Sequence, residues 1–433
     1  MLLYSTKNAN QQASLEEAVF HSLPPDNGLY MPTVIPKVSA AFLDSIDKLS
    51  FNEIAVEISK TLLGDDISTN DINDMVSKAF NFDAPVVPIE ENTSVLELFH
   101  GPSMAFKDFG ARYMAALMSY FLVKSQKEIQ ILVATSGDTG GAVAQGFFNV
   151  PGISVTILYP SGKVSDIQEK QLTTLGGNVR SLEVNGTFDD CQLLVKQAFL
   201  DTDLNKKHNL ASANSINIAR LIPQSFYYFR AFAQLKNQKK PVIFSIPSGN
   251  FGNLSAGVLA TKMGLPVHHF IATTNRNKVV PDYLENGSYE PEPSIETISN
   301  AMDVGNPSNF VRLTRFYNDD WDSIKQQISG AWFNDDQTRA AMREVYKKSN
   351  YVMCPHTAVA YLGLKQYQKT NPNVSGVFLS TAHYAKFLNV VEDALQTTNI
   401  AIPERLASLL NKTKVATKIS ANFEDFKDFL LNS

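Results

Sequence analysis

Apolar residues fall in two rhythms along this chain of 433 residues. From Ile129 onward, short β-branched runs pass into glycine- or proline-bearing turns and then into amphipathic stretches, the alternation of an α/β protein. Ile129 to Ala134 reads as a buried strand, Thr135 to Gly141 as its turn and Ala142 to Phe148 as the following helix. The cycle recurs, with strands predicted at Val155 to Tyr159, Val179 to Val184, Pro241 to Ile246, near His268 to Thr273, and at Gly376 to Ser380. Helices are expected at Ser165 to Leu175, Asp189 to Leu200 and Leu254 to Met263. The first 95 residues differ. There, helical segments at Leu15 to Phe20, Ala41 to Lys48, Phe51 to Leu63 and Asp71 to Phe80 alternate with proline turns at Pro24-Pro25 and Pro32 to Pro36. The expected organisation is a mainly helical N-terminal domain over 1–95, a first α/β lobe over 96–235 and a second over 236–433. The part after Ala401 reads as helical and carries no legible chemistry.

Composition narrows the partners. With 44% hydrophobic and 19% charged residues the chain can bury substantial cores, which excludes global disorder. Lys plus Arg number 38 against 43 Asp plus Glu, a formal charge of −5, and no basic run stands out. Nucleic acid and anionic membrane surfaces therefore lack an electrostatic footprint, and any anionic partner is expected to be small and locally bound. The two cysteines, Cys191 and Cys354, lie far apart and outside any CxxC setting, so neither a disulfide framework nor a metal site is expected. The N-terminus lacks a basic region followed by an apolar stretch, and the most apolar window, Tyr113 to Val123, is too short to span a bilayer. A cytoplasmic protein is the expectation.

Four segments concentrate small, polar or glycine residues where a strand meets a helix, which is where open α/β sheets bind ligands. Pro247-Ser-Gly-Asn-Phe-Gly-Asn253 follows a strand and opens a helix, so its amides and the helix dipole suit a phosphate. The same residues could equally form a plain connecting turn. Neither GxGxxG nor GxxxxGK[ST] is present, against dinucleotides and nucleoside triphosphates. Thr135-Ser-Gly-Asp-Thr-Gly-Gly141 is richer in hydroxyls and could hold a carboxylate, or merely cap its helix. Gly101-Pro-Ser-Met-Ala-Phe-Lys-Asp-Phe109 sets Lys107 between aromatics at the start of an apolar helix face of Phe109, Tyr113, Ala116, Leu117, Tyr120 and Phe121. Desolvation there would lower the pKa of the amine and free it for Schiff-base chemistry; the bland reading is a snorkelling lysine paired with Asp108. Ala211-Ser-Ala-Asn-Ser-Ile-Asn-Ile-Ala-Arg220 adds amide donors and a guanidinium, and Lys163 adds a cation at another strand end. Of the histidines, His100 and His383 lie beside candidate segments, while His21, His208, His268 and His269 have no metal spacing.

Together, Leu96 to Gly110, Ala134 to Gly140, Ala211 to Asn217 and Pro247 to Gly252 closely resemble the threonine synthase family, pyridoxal-phosphate enzymes of fold type II related to the tryptophan synthase β chain. The resemblance runs over nearly the full length, from Asp26-Asn-Gly-Leu-Tyr30 to Thr381-Ala-His-Tyr-Ala-Lys386. It implies two open α/β lobes with the active site between them, and pyridoxal 5'-phosphate bound to Lys107 as a Schiff base. It further implies that Gly249, Asn250, Phe251 and Asn253 cradle the cofactor phosphate and that Thr381 partners the pyridine nitrogen. Asn253 stands where the family pattern has Asp. The family reaction converts O-phospho-L-homoserine and water into L-threonine and phosphate. Lys163, Arg220, Asn214 and Ser215 are the candidates for the substrate phosphate, with Ser136, Gly137, Asp138 and Thr139 for its amino-acid end. Two rivals remain at this point: a phospho-lyase releasing 2-oxobutyrate, and a non-catalytic ligand-sensing protein, which would have no need of the Schiff-base lysine. A monomer and a homodimer are both compatible with the sequence.

Overall fold

The apolar runs become the central strands of two open sheets in the computed structural model, which describes residues 1–125 and 127–432. In the first sheet the strands lie in the order Thr417–Ser420, Val179–Asn185, Ile153–Pro160, Ile129–Ala134 and Leu210–Ser212, all parallel. The second has the order Ile328–Trp332, His269–Thr274, Val242–Pro247, Ser375–Ser380, Thr93–Glu97 and Val86–Glu90, parallel except for its last pair. Every residue of Ile129–Ala134, Val242–Pro247 and Ser375–Ser380 is buried, as a parallel strand covered on both faces requires. The fold is thus α/β with two lobes. Among the described residues no helix is long and apolar enough to cross a membrane.

The sheets do not divide the chain at 96 and 236 as the order of elements predicts. The hairpin Val86–Glu90 with Thr93–Glu97 begins inside the expected N-terminal domain yet completes the second sheet, because Thr93–Glu97 pairs with the distant Ser375–Ser380. The last strand, Thr417–Ser420, and the helix Phe423–Leu431 return to the first sheet, where Phe426 and Leu430 join the apolar cluster of Leu182, Val184 and Leu194. Long-range pairing of this kind leaves no local trace.

The N-terminal helices form as Leu15–His21, Ala40–Ser45, Phe51–Leu63 and Thr69–Ala79, and Ser50 with Glu53 closes a capping box on the third. The domain is less purely helical than expected. Gln12–Ser14, Leu2–Ser5 and Tyr30–Pro32 make a small antiparallel sheet, with strands too short for an alternation signal. Its helices anchor the chemistry: Phe51 and Phe80 pack on Phe109 at ring-centroid distances of 5.3 and 5.9 Å, and Phe109 meets Tyr227 at 5.2 Å. Phe109 belongs to the helix Lys107–Ser125, which buries Met114 and Met118 as well as Tyr113, Leu117 and Phe121. Buried on more than the one face expected, this helix fixes its first residue, Lys107, firmly against the cleft.

Candidate active site

Two backbone strands that pair at the sheet go on pairing after it ends. Beyond Thr93–Glu97 and Ser375–Ser380, the Leu98 amide donates to the Ser380 carbonyl (3.0 Å), the Phe106 amide to the Thr381 carbonyl (2.8 Å) and the His383 amide to the Met104 carbonyl (3.0 Å). An isolated bridge joins Ala105 to Ala382. This strapping brings Lys107 and Thr381 to one inner cavity at the carboxyl ends of the strands. The cavity opens into an outer cleft, the two sharing Ser136, Phe188, Asn300 and Asp303 as common wall.

The loop after Val242–Pro247 forms one end of the cavity. Phe251 takes the left-handed conformation (φ 60°) and caps the helix Gly252–Lys262, turning the chain sharply into its first turn. Among the described residues, no protein acceptor takes the amides of Gly249, Asn250, Phe251, Gly252 or Asn253. Gly249 lies where a Cβ would come within 2.6 Å of the Ala301 carbonyl oxygen and 3.0 Å of Met302 Cα, so the loop 300–304 closes directly over it. The Tyr227 and Tyr228 hydroxyls both donate to Asn253 Oδ1 at 2.6 Å, which leaves Asn253 Nδ2 buried without a partner. Five free amides and an orphaned side-chain donor at a helix N-terminus make a cradle for a phosphate group. The asparagine matters, since a carboxylate in its place would offer only acceptors.

A second glycine turn lies opposite. Thr135 Oγ1 accepts from the amides of Gly137 and Gly140, both at 2.9 Å, and Gly137 has φ +134°. That closure starts the helix at Asp138, a turn earlier than Ala142, so Asp138 and Thr139 sit in its first turn. Gly137 itself backs the turn, where a Cβ would strike the Gln168 side chain at 2.5 Å.

Charge is concentrated between the two turns. Burial pushes the Lys107 amine down to about 8, against the pull of Asp138 and with help from the like charges of Lys386 and Arg220. Its Nζ lies 5.1 Å from the Phe106 ring centroid, and no protein acceptor among the described residues holds it. Asp138 Oδ1 is gripped by Lys386 Nζ at 2.7 Å and Gln168 Nε2 at 2.9 Å. Burial works to raise the Asp138 carboxyl, but Lys386 and then Lys107 outweigh it and hold it well below the usual carboxylate range. Arg220 is buried, donates through Nη1 to the Ala213 carbonyl, and keeps its Nε unpartnered; burial lowers it to about 10. His356, buried with Nε2 accepting from the Ala301 amide at 3.2 Å, is pushed by burial to about 4 and is therefore neutral.

Of the residues singled out in the sequence, Lys107, Ser136, Asp138, Thr139, Asn214, Ser215, Arg220, Gly249, Asn250, Phe251, Asn253 and Thr381 all line the inner cavity. Asn214 Nδ2 donates to the Ala134 carbonyl (2.9 Å), and Ser215 Oγ accepts from Asn309 Nδ2 (3.0 Å). Asn250 Oδ1 accepts from the Ser308 amide and hydroxyl at 3.2 and 3.1 Å, tying the cradle to the next loop. Lys163 does not join them: it is exposed on the wall of the outer cleft. His100 pairs with Glu97 at 2.8 Å, and His383 meets Phe99 edge-on and Tyr384 at a tilt, both histidines outside the cavity. The sequence reading passed over Lys386, His356, Asp303 and Arg312. Arg312, fully buried, donates to the carbonyls of Ser215, Ile216 and Tyr30, joining the cavity wall to the N-terminal sheet. Only Lys386 had a signal, its place at the end of the segment that begins with Thr381.

Comparison with known proteins agrees with this geometry. Residues 93–380 match the family model of pyridoxal-phosphate dependent enzymes, residues 3–80 that of the threonine synthase N terminus and residues 357–430 that of the threonine synthase C-terminal region. Threonine synthase of Escherichia coli (strain K12) is 42% identical over 433 residues, spanning 100% of both chains. The crystal structure of the Escherichia coli enzyme superposes with a TM-score of 0.93, covering 100% of each chain. That of pyridoxal-phosphate-bound threonine synthase from Brucella melitensis, 32% identical, gives 0.92 and covers 100% of this chain and 99% of its own. With three family models together spanning most of residues 3–430, over a cavity that offers a lysine unpaired among the described residues and an anion cradle, the chain belongs to the threonine synthase family of pyridoxal-phosphate-dependent enzymes.

Proposed function

We propose that this protein converts O-phospho-L-homoserine and water into L-threonine and phosphate, the last step of threonine biosynthesis, as a cytoplasmic carbon–oxygen lyase acting on phosphates. The observation that carries the reading is the convergence of a desolvated lysine and a donor-rich phosphate cradle in one cavity. The residues present fit the cofactor: Gly249, Asn250, Phe251 and Asn253 would hold its phosphate, Lys107 would bind it covalently, and the Thr381 hydroxyl would meet its ring nitrogen. When bound, it supplies an electron sink that stabilises negative charge developing next to the substrate nitrogen.

Lys107 carries the protons. An amine whose pKa lies near 8 accepts a proton from carbon and returns it within the same cavity, close to the pH at which both forms are populated. It moves protons one at a time: it takes the Cα proton and gives it up, then takes one from Cβ as the Cγ–O bond breaks and phosphate leaves with the electron pair; returning that proton to Cγ moves the double bond to Cα–Cβ, and water adds its hydroxyl at Cβ as Cα regains a proton. Arg220, with Asn214 and Ser215, holds the departing phosphate, because a guanidinium on the cavity wall with its Nη1 alone engaged has donors of its fork to spare. Lys163, out on the rim, draws the anionic substrate into the cleft. Ser136, Thr139 and the first-turn amides beyond Gly137 orient the amino-acid end. Asp138, already neutralised by Lys386, completes that end without repelling a carboxylate at full strength. One chain supplies both turns and the lysine, so a monomer or a homodimer suffices.

The deciding experiment supplies O-phospho-L-homoserine to the holoenzyme and follows phosphate and threonine together. Equal yields are expected; phosphate accompanied by 2-oxobutyrate would make the protein a phospho-lyase. The cradle has its own test in Gly249→Ala. The added methyl must displace backbone at Ala301, and overpacking of about 1–3 kcal/mol corresponds to roughly a 5- to 150-fold loss of cofactor affinity. Titrating apoprotein with pyridoxal phosphate measures it, and unchanged affinity would place the phosphate elsewhere.

A further inference from the structure

Lys386 has no accessible surface at all, and the steps above use it only to neutralise Asp138 toward the substrate. Its Nζ is shared between Asp138 Oδ1 at 2.7 Å and the Ser103 carbonyl at 2.9 Å. Both contacts lead to Lys107. Asp138 is the acid whose charge acts most strongly on the Lys107 amine, and Ser103 belongs to the segment that delivers Lys107 to its helix. A third element braces the same point: Gln168 Nε2 donates to Asp138 Oδ1 (2.9 Å), Gln171 Nε2 to the Ser103 carbonyl (2.9 Å) and Ser165 Oγ to the Lys386 carbonyl (2.9 Å). A buried ammonium placed only to hold the fold would need a carboxylate anywhere; this one takes the carboxylate beside the reactive amine.

We infer that Lys386 is a positioning residue of the active site: its ammonium, held between the Asp138 carboxylate and the Ser103 carbonyl, locks the segment that carries Lys107 and neutralises the Asp138 charge beside the Lys107 amine. The inference rests on the reading of Lys107 as the cofactor lysine. The charged and titratable groups around that amine are Asp138 at the start of the helix Asp138–Gly146, Lys386, Arg220 in the helix Ile218–Leu221, and His356 near the start of the helix Pro355–Gln368. With Lys386 in place, Asp138 is spoken for. Without it, Asp138 faces Lys107 as an uncompensated anion and favours whichever Lys107 species is positive.

The test is a pH titration of the visible absorption that the bound cofactor owes to its bond with Lys107, on the wild-type holoenzyme and on K386M, K386R, D138N and D138N/K386M, with thermal melts to confirm folding. K386M is expected to move the colour change up by about 1 pH unit or more, the range for an opposite charge at close approach, while K386R keeps the wild-type titration. A folded, coloured K386M that titrates like the wild type would overturn the inference, since a purely structural lysine would not shift the spectrum. If K386M does not fold, the other pair decides. D138N leaves Lys386 unpaired and should lower the pH of the colour change, and D138N/K386M should restore it; identical titrations for those two overturn the inference. A wild-type holoenzyme lacking the visible band removes the cofactor reading itself and the inference with it, an outcome distinct from all the others.

Discussion

Lys107→Ala is expected to abolish the visible absorption of the cofactor and to lower turnover of O-phospho-L-homoserine by at least about 10⁴-fold, the upper range for one positioned acid–base group. The physical ground is that no neighbour can substitute. His356 is neutral with its Nε2 occupied by the Ala301 amide, and Lys386 is committed to Asp138 and Ser103. Of the residues lining the inner cavity, Lys107 alone is an amine with a depressed pKa that no protein acceptor holds among the described residues. Absorption spectra of the purified variant and a coupled phosphate assay measure both effects. A variant that keeps normal turnover would defeat the assignment, and with it the proton path through this amine.

The second large effect is expected from Arg220→Ala, a fall in kcat/KM for the phosphorylated substrate of about 10²–10³, the cost of removing one donor aimed at developing negative charge. The buried guanidinium lines the inner cavity with its Nη1 on the Ala213 carbonyl, which leaves further donors of the fork for an incoming phosphate oxygen. Lys163→Ala offers the contrast. Exposed on the outer cleft, Lys163 should show a smaller loss that shrinks further as salt is added, because steering by a surface charge is screened. Steady-state kinetics at two ionic strengths distinguishes the roles, and unchanged kinetics in Arg220→Ala would move the leaving-group site away from it.

The corrections to the expected picture share a cause. The hairpin Val86–Glu90 with Thr93–Glu97 was legible as neither strand nor lobe member, because its place depends on Ser375–Ser380 at the far end of the chain. The three N-terminal strands run only three or four residues, too few for an alternation to stand out. The helix at Asp138 starts early because a single hydroxyl, Thr135 Oγ1, closes the turn before it. Lys163 and Lys386 exchange importance for the same kind of reason: both follow strand ends in the sequence, but only folding reveals that one faces solvent and the other has none.

What the residues alone determined is the chemistry at each strand end: a lysine between aromatics, two glycine turns fit for anions, an arginine near amide donors, and the α/β alternation that sets the turns at the carboxyl ends of strands. These are local properties, fixed by backbone freedom, side-chain type and spacing within a few residues. Folding supplied the rest, the pairing that straps Thr381 beside Lys107, the tyrosine pair that turns Asn253 into a donor, and the buried Lys386–Asp138 bond. Those depend on residues tens to hundreds of positions apart meeting out of water, where the strength of a charge or an unmade hydrogen bond is set by burial that no stretch of sequence contains.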